Sequence, residues 1–124
     1  MSRLLTVALL LATCVINAQS CNLKITAFRA YENNFAVIEI SYEESPEIVG
    51  INFSLDEPTL NERSIQKVDK TSGTSRHGIS FQPHRLRVGD TVYYKLFIEN
   101  GGKMTCQTDL SNFQIQELRI VKPT

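Results

Sequence analysis

The stretch LRVGDTVYYKLFIENGG, Leu86–Gly102, decides how the chain reads. It opens as a turn, continues as an alternating apolar strand and stops at Gly101-Gly102. Successive side chains of an extended chain point to opposite sides, so Val92, Tyr94, Leu96 and Ile98 share one face. Tyr93, Lys95 and Phe97 share the other, where an exposed Tyr and Phe meet either a neighbouring loop or a binding partner. Leu86, Asp90, Val92, Tyr94 and Leu96 also follow the spacing L-x-x-x-D-x-V-x-Y-x-L. Immunoglobulin-type sandwiches use a tyrosine at this corner, ahead of their sixth strand, and its hydroxyl bonds back to upstream backbone. Tyr94 therefore reads as a corner tyrosine and Leu96 takes the place of the antibody cysteine.

The same period-two alternation recurs on both sides of this stretch, and no segment shows a helical period. Leu23, Ile25 and Ala27 share a face of NLKITAFR, and Ala36, Ile38 and Ile40 a face of FAVIEISY. Ile51, Phe53 and Leu55 alternate with Asn52 and Ser54. Ser64–Val68 is a polar strand anchored by Ile65 and Val68, and Arg76–Phe81 carries Ile79 and Phe81. In NFQIQELRIV the parity changes between Ile115 and Leu118, which a bulge at Gln116-Glu117 repairs. Asn33-Asn34, Glu44-Ser45-Pro46, Asp56-Glu57-Pro58, Thr71–Ser75, Pro83 and Gly101-Gly102 are the turns between these runs. Seven short strands punctuated in this way predict an all-β, immunoglobulin-like antiparallel β-sandwich.

The ends place the chain in a compartment. Residues 1–20 carry Arg3, an apolar run from Leu4 to Val15 and small residues near Ala18, the pattern of a secretory signal peptide. The run is shorter than the roughly 20 apolar residues of a membrane span. The expectation is a secreted single domain over residues 21–124. Cys14 leaves with the leader, and Cys21 and Cys106 remain as an even pair for an oxidising compartment. A disulfide between them closes a loop of about 85 residues, which the chain-entropy account values at about 4–5 kcal/mol. Loss of Arg3 leaves acidic residues one ahead of basic ones. That balance excludes a nucleic-acid binder driven by phosphate contacts, and equally a polybasic membrane-surface protein.

Catalytic patterns are missing. His77 and His84 are the only histidines, both in turn-rich segments beside Arg76 and Arg85. No nucleophile elbow, phosphate loop or metal-spaced histidine pair occurs. Glu43-Glu44 and Asp56-Glu57 are adjacent pairs, whose carboxylates diverge on an extended chain. Calcium would need three or more carboxylates at fixed offsets. The sequence thus predicts no enzyme, no cofactor and no metal. Asn52-Phe53-Ser54 is a glycosylation sequon with Asn52 on the solvent side of its strand. Arg63, Arg76, His77, Arg85 and Arg87 crowd the middle of the chain, and such planar groups bond sugar hydroxyls or stack on rings.

The run GDTVYY at Gly89–Tyr94, with Leu86 before it, resembles a late strand in the N-terminal domain of insect β-1,3-glucan recognition proteins. These are also called Gram-negative-bacteria-binding proteins, and the domain is a family 39 carbohydrate-binding module. FAVIEISY, Gly50-Ile51, Leu60-Asn61-Glu62 and Arg63-x-Ile65 fall in the family's order. The resemblance implies a stand-alone immunoglobulin-like domain, non-catalytic, that binds microbial cell-wall polysaccharide, above all β-1,3-glucan, in innate immunity. It implies glycan contacts from Arg63 and Arg76, with His77 replacing a tryptophan and Glu43 and Glu44 in an acidic turn. Its partners would be that polysaccharide and an extracellular immune protein. The chain departs from the family in having no tryptophan, with Lys95 and His77 at tryptophan positions, and in reading Arg63-Ser64 for Arg-Asp. A protein-interaction module that has lost sugar binding is the alternative those departures favour.

Overall fold

The computed structural model describes residues 21–43, 46–68 and 73–121. The leader expected over 1–20 and the candidate Glu44 lie outside the described residues. Eight strands follow in order: β1 (Leu23–Ala30), β2 (Phe35–Tyr42), β3 (Ile48–Leu55), β4 (Glu62–Lys67), β5 (Thr74–Ser80), β6 (Thr91–Asn100), β7 (Lys103–Gln107) and β8 (Ser111–Gln114). They form two antiparallel sheets, β1-β2-β5 and β4-β3-β6-β7, with β8 on β6 beside β7. The expected all-β sandwich is what the chain builds. Its fourth strand pairs with the third and so joins the second sheet, whereas constant-type immunoglobulin domains keep it with the first.

The core lies between the sheets. Ala36, Ile38 and Ile40 of β2 and Ile79 of β5 face Val49, Ile51 and Phe53 of β3 and Val92 and Leu96 of β6. Phe28 meets Phe113 edge-on at 4.5 Å between ring centroids, and Phe53 meets Phe81 at 5.5 Å. Two links tie the sheets at their edges. The Cys21–Cys106 disulfide joins the start of β1 to β7, as expected from the cysteine count. On the opposite edge, His77 of β5 bonds Ser64 of β4.

Several local readings change. A bulge between Ile25 and Ala27 shifts the register of β1. Ala27 therefore pairs with Glu39 on the outer face, and Phe28 takes the inward place opposite Ile38. Ile65 is no core anchor: it pairs with Gly50 on the outer side and is 46% exposed. Lys103–Gln107 forms β7, a strand too polar to show an alternating pattern. The last segment leaves the sheet after Gln114 instead of bulging, although Ile115 keeps its inward parity and is buried. Beyond it, Arg119 makes an isolated parallel bridge to Tyr31.

The corner before β6 is made by Asp90. Its carboxylate accepts the Arg87 N–H at 2.9 Å and its carbonyl accepts the Ile115 N–H at 2.8 Å. Tyr94 instead packs its ring on Phe113 at 5.6 Å, with Ser111 of β8 opposite it. The L-x-x-x-D-x-V-x-Y-x-L spacing thus marks the right corner through the aspartate.

Candidate carbohydrate-binding face

The outward face of the five-stranded sheet is assembled around a glycine. Gly50 sits on β3, with Phe97 opposite it on β6 and Ile65 opposite it on β4. A Cβ built at Gly50 would fall 2.1 Å from the tip of the Phe97 ring, so the ring lies flat over bare backbone. Phe97 is 0% exposed although its strand parity turns it away from the core. Its cover is Arg63, whose guanidinium carbon stands 4.6 Å from the ring centroid. Glu99, two residues along β6 on the same face, bonds and pairs with the Arg63 guanidinium. The guanidinium is therefore held in place by the ring beneath it and the carboxylate beside it. The Arg63 side chain is still 50% exposed, which leaves guanidinium surface open to solvent.

The platform continues along the strands. Asn52 stands directly between Arg63 on β4 and Lys95 on β6. Tyr93 pairs with Ser54 and Asn112, and Gln107 pairs with Phe97. A shallow depression of about 440 Å³ opens here, lined by Asn52, Pro58, Leu60, Lys95, Gln107 and Leu110. It offers amide and ammonium groups beside small apolar walls, a mixture suited to sugar hydroxyls and ring C–H faces.

The residues expected to share a site are dispersed. Arg63 lies on this platform. Arg76 pairs with Glu39 on the outer face of the other sheet, on the far side of the sandwich. His77 points inward and is 0% exposed. Its Nε2 is 3.0 Å from Ser75 Oγ and its Nδ1 3.4 Å from Ser64 Oγ, and burial lowers its pKa from 6.5 to about 4. It is a neutral bond between the sheets, out of reach of an external ligand. Glu43 follows β2 and accepts from Asn22 next to the disulfide, away from the platform. Arg87 is engaged with Asp90 at the corner. The sequence signal for this dispersal is alternation: Arg76 and His77 are neighbours on one strand and must face opposite ways. Phe97 lies on the outward row that alternation gives it, but it is buried under Arg63 and not exposed. Gly50 and Glu99 carry no local signal, because nothing in sequence announces a ring folded over a glycine on the next strand. Among the described residues, no group of three or more His, Cys, Asp or Glu side chains is placed to hold a metal ion.

No family model matches the chain, and no curated protein does. Among solved structures, the bromine derivative of BhCBM56 is similar with a TM-score of 0.50 at 12% identity, over 77% of this chain and 95% of the other. The multi-modular, cell-surface-expressed chitinase ChiW of Paenibacillus sp. strain FPU-7 is similar with a TM-score of 0.47 at 11% identity. That match spans 79% of this chain and 8% of the chitinase. The likeness to BhCBM56 establishes a shared sandwich architecture.

Proposed function

We propose that this chain is a secreted, non-catalytic module that binds microbial cell-wall polysaccharide, β-1,3-glucan foremost, through the outer face of its five-stranded sheet. The observation that carries the reading is the Arg63 guanidinium, seated over the Phe97 ring and paired with Glu99 on an open strand face. The chain has no tryptophan, and the planar, weakly hydrated guanidinium supplies the stacking plane instead. Its free N–H groups donate to sugar hydroxyls, and Asn52, Lys95 and Gln107 extend the row of polar contacts along a glycan. The architecture is that of BhCBM56, a carbohydrate-binding module, and the likeness of GDTVYY and FAVIEISY to glucan recognition domains supports the ligand and a role in innate immunity. Each sugar unit contributes little, and a repetitive polymer raises overall binding through avidity.

The test is retention of the oxidised protein, unmodified at Asn52, on insoluble β-1,3-glucan, with cellulose, chitin and peptidoglycan alongside. Arg63 and Arg76 occupy opposite outer faces, so single substitutions separate them. The expected result is selective retention on β-1,3-glucan, reduced about tenfold or more by Arg63→Ala and within twofold of wild type in Arg76→Ala. Retention lost equally in both variants, or absent on every polymer from a folded sample, would reject the reading and point to a protein partner.

A further inference from the structure

Asn52 is the acceptor position of the sequon Asn52-Phe53-Ser54 and stands at the centre of the platform. Ile51 and Phe53 on either side of it are buried, so its amide projects outward. Directly opposite residues on paired strands hold their Cβ atoms about 4.5–5.5 Å apart. A sugar joined to Asn52 therefore begins between Arg63 and Lys95 and overlies both. The adjoining open depression of about 440 Å³ gives such sugars a surface to lie on. Pro58, Leu60 and Leu110 give it apolar walls, and Leu110 is left 45% exposed.

We infer that Asn52 carries an N-linked glycan whose first sugars lie in this depression and close the platform to external polysaccharide. The second half of this inference rests on the polysaccharide-binding reading above; the placement of the sugar does not. The donor is a lipid-pyrophosphate-linked oligosaccharide of the secretory pathway. The Asn52 amide nitrogen bonds the anomeric carbon, the lipid pyrophosphate leaves with the bonding pair, and the amide gives up one proton.

The fold also fixes when this happens. Asn52 lies in mid-sheet with β4 and β6 paired on either side, and the Ser54 hydroxyl is buried and donates to the Glu57 carbonyl. The sequon is therefore presented only before β3 enters the sheet. Occupancy is therefore set once, during synthesis, and the modified chain folds with its platform closed.

The experiment secretes the full chain from eukaryotic cells with and without an inhibitor of donor synthesis and keeps both products oxidised. Site-resolved mass spectrometry reads Asn52. Acylation by an amine reagent reads cover over Lys95, with exposed Lys103 as the internal reference. Retention on insoluble β-1,3-glucan reads closure. The expected outcome is sugar at Asn52, Lys95 acylation slowed about fivefold or more relative to Lys103, and retention about tenfold lower for the modified form. Protection of Lys95 with neither form retained would reject the polysaccharide reading while confirming the sugar's place on the platform. An unmodified Asn52, or a modified one with Lys95 unprotected and retention unchanged, would overturn the inference.

Discussion

His77 shows how one residue can be misread as surface chemistry and turn out to hold two sheets together. Its ring lies between the hydroxyls of Ser64 and Ser75, one on each sheet. In either tautomer one ring nitrogen donates and the other accepts, so both bonds form without charge. Burial lowers its pKa from 6.5 to about 4. Between those values the unfolded chain binds a proton that the folded chain refuses, so stability is complete above pH 6.5 and falls as the pH drops toward 4. Allowing for solvent screening, the loss between pH 7 and pH 5 is about 1–2 kcal/mol. Urea unfolding at those two pH values checks this. His77→Gln, which stays neutral, should lower stability at pH 7 but remove this part of the pH dependence; an unchanged slope in the variant would assign the effect to other groups.

At the scale of elements, the site depends on how β4, β3 and β6 lie against one another. Gly50 and Gly78 form a natural comparison. Each lies under an aromatic ring from the next strand, Phe97 in one sheet and Phe35 in the other. Phe97 is fully buried beneath Arg63, whereas Phe35 is 38% exposed and free to swing outward. A Cβ at residue 50 meets its ring at 2.1 Å and one at residue 78 at 2.8 Å. Gly50→Ala should therefore cost about 1–3 kcal/mol as overpacking and lift Arg63 off its ring, lowering glucan retention. Gly78→Ala should cost clearly less and leave retention unchanged. Denaturation midpoints and polymer retention of the two variants decide it.

The strands themselves were largely legible, because alternation needs only neighbours in sequence. β2, β3 and β6 read correctly down to their inward residues. What alternation could not show was the bulge at Thr26, which moved Phe28 into the core, or the pairing of β4 with β3, which carried Ile65 outward and Arg63 onto the platform. Both depend on register between strands. For the same reason the sequence named Arg63 but grouped it with Arg76 and His77, which the sandwich separates.

For the molecule as a whole, the disulfide closes the edge opposite the Ser64–His77 link. Cys21 and Cys106 are 85 residues apart in sequence and 5.5 Å apart between Cα atoms. Replacing both with serine should cost about 2–5 kcal/mol. Reduction of the wild type should lower its urea midpoint to that of the variant, while a reductant should leave the variant unmoved. Amide exchange should then open first along β1 and β7, with the platform on β3, β4 and β6 retaining its protection.

Glycan binding is proposed for the outer face of the five-stranded sheet. The most direct measurement is a residue-by-residue map of backbone amide shifts as a soluble β-1,3-glucan oligosaccharide is titrated into the unmodified protein. The perturbed amides should cluster at Gly50, Asn52, Arg63, Lys95, Phe97, Glu99 and Gln107, with β2 and β5 silent. Shifts centred on Arg76 and the opposite sheet, or none at saturating sugar, would contradict that placement.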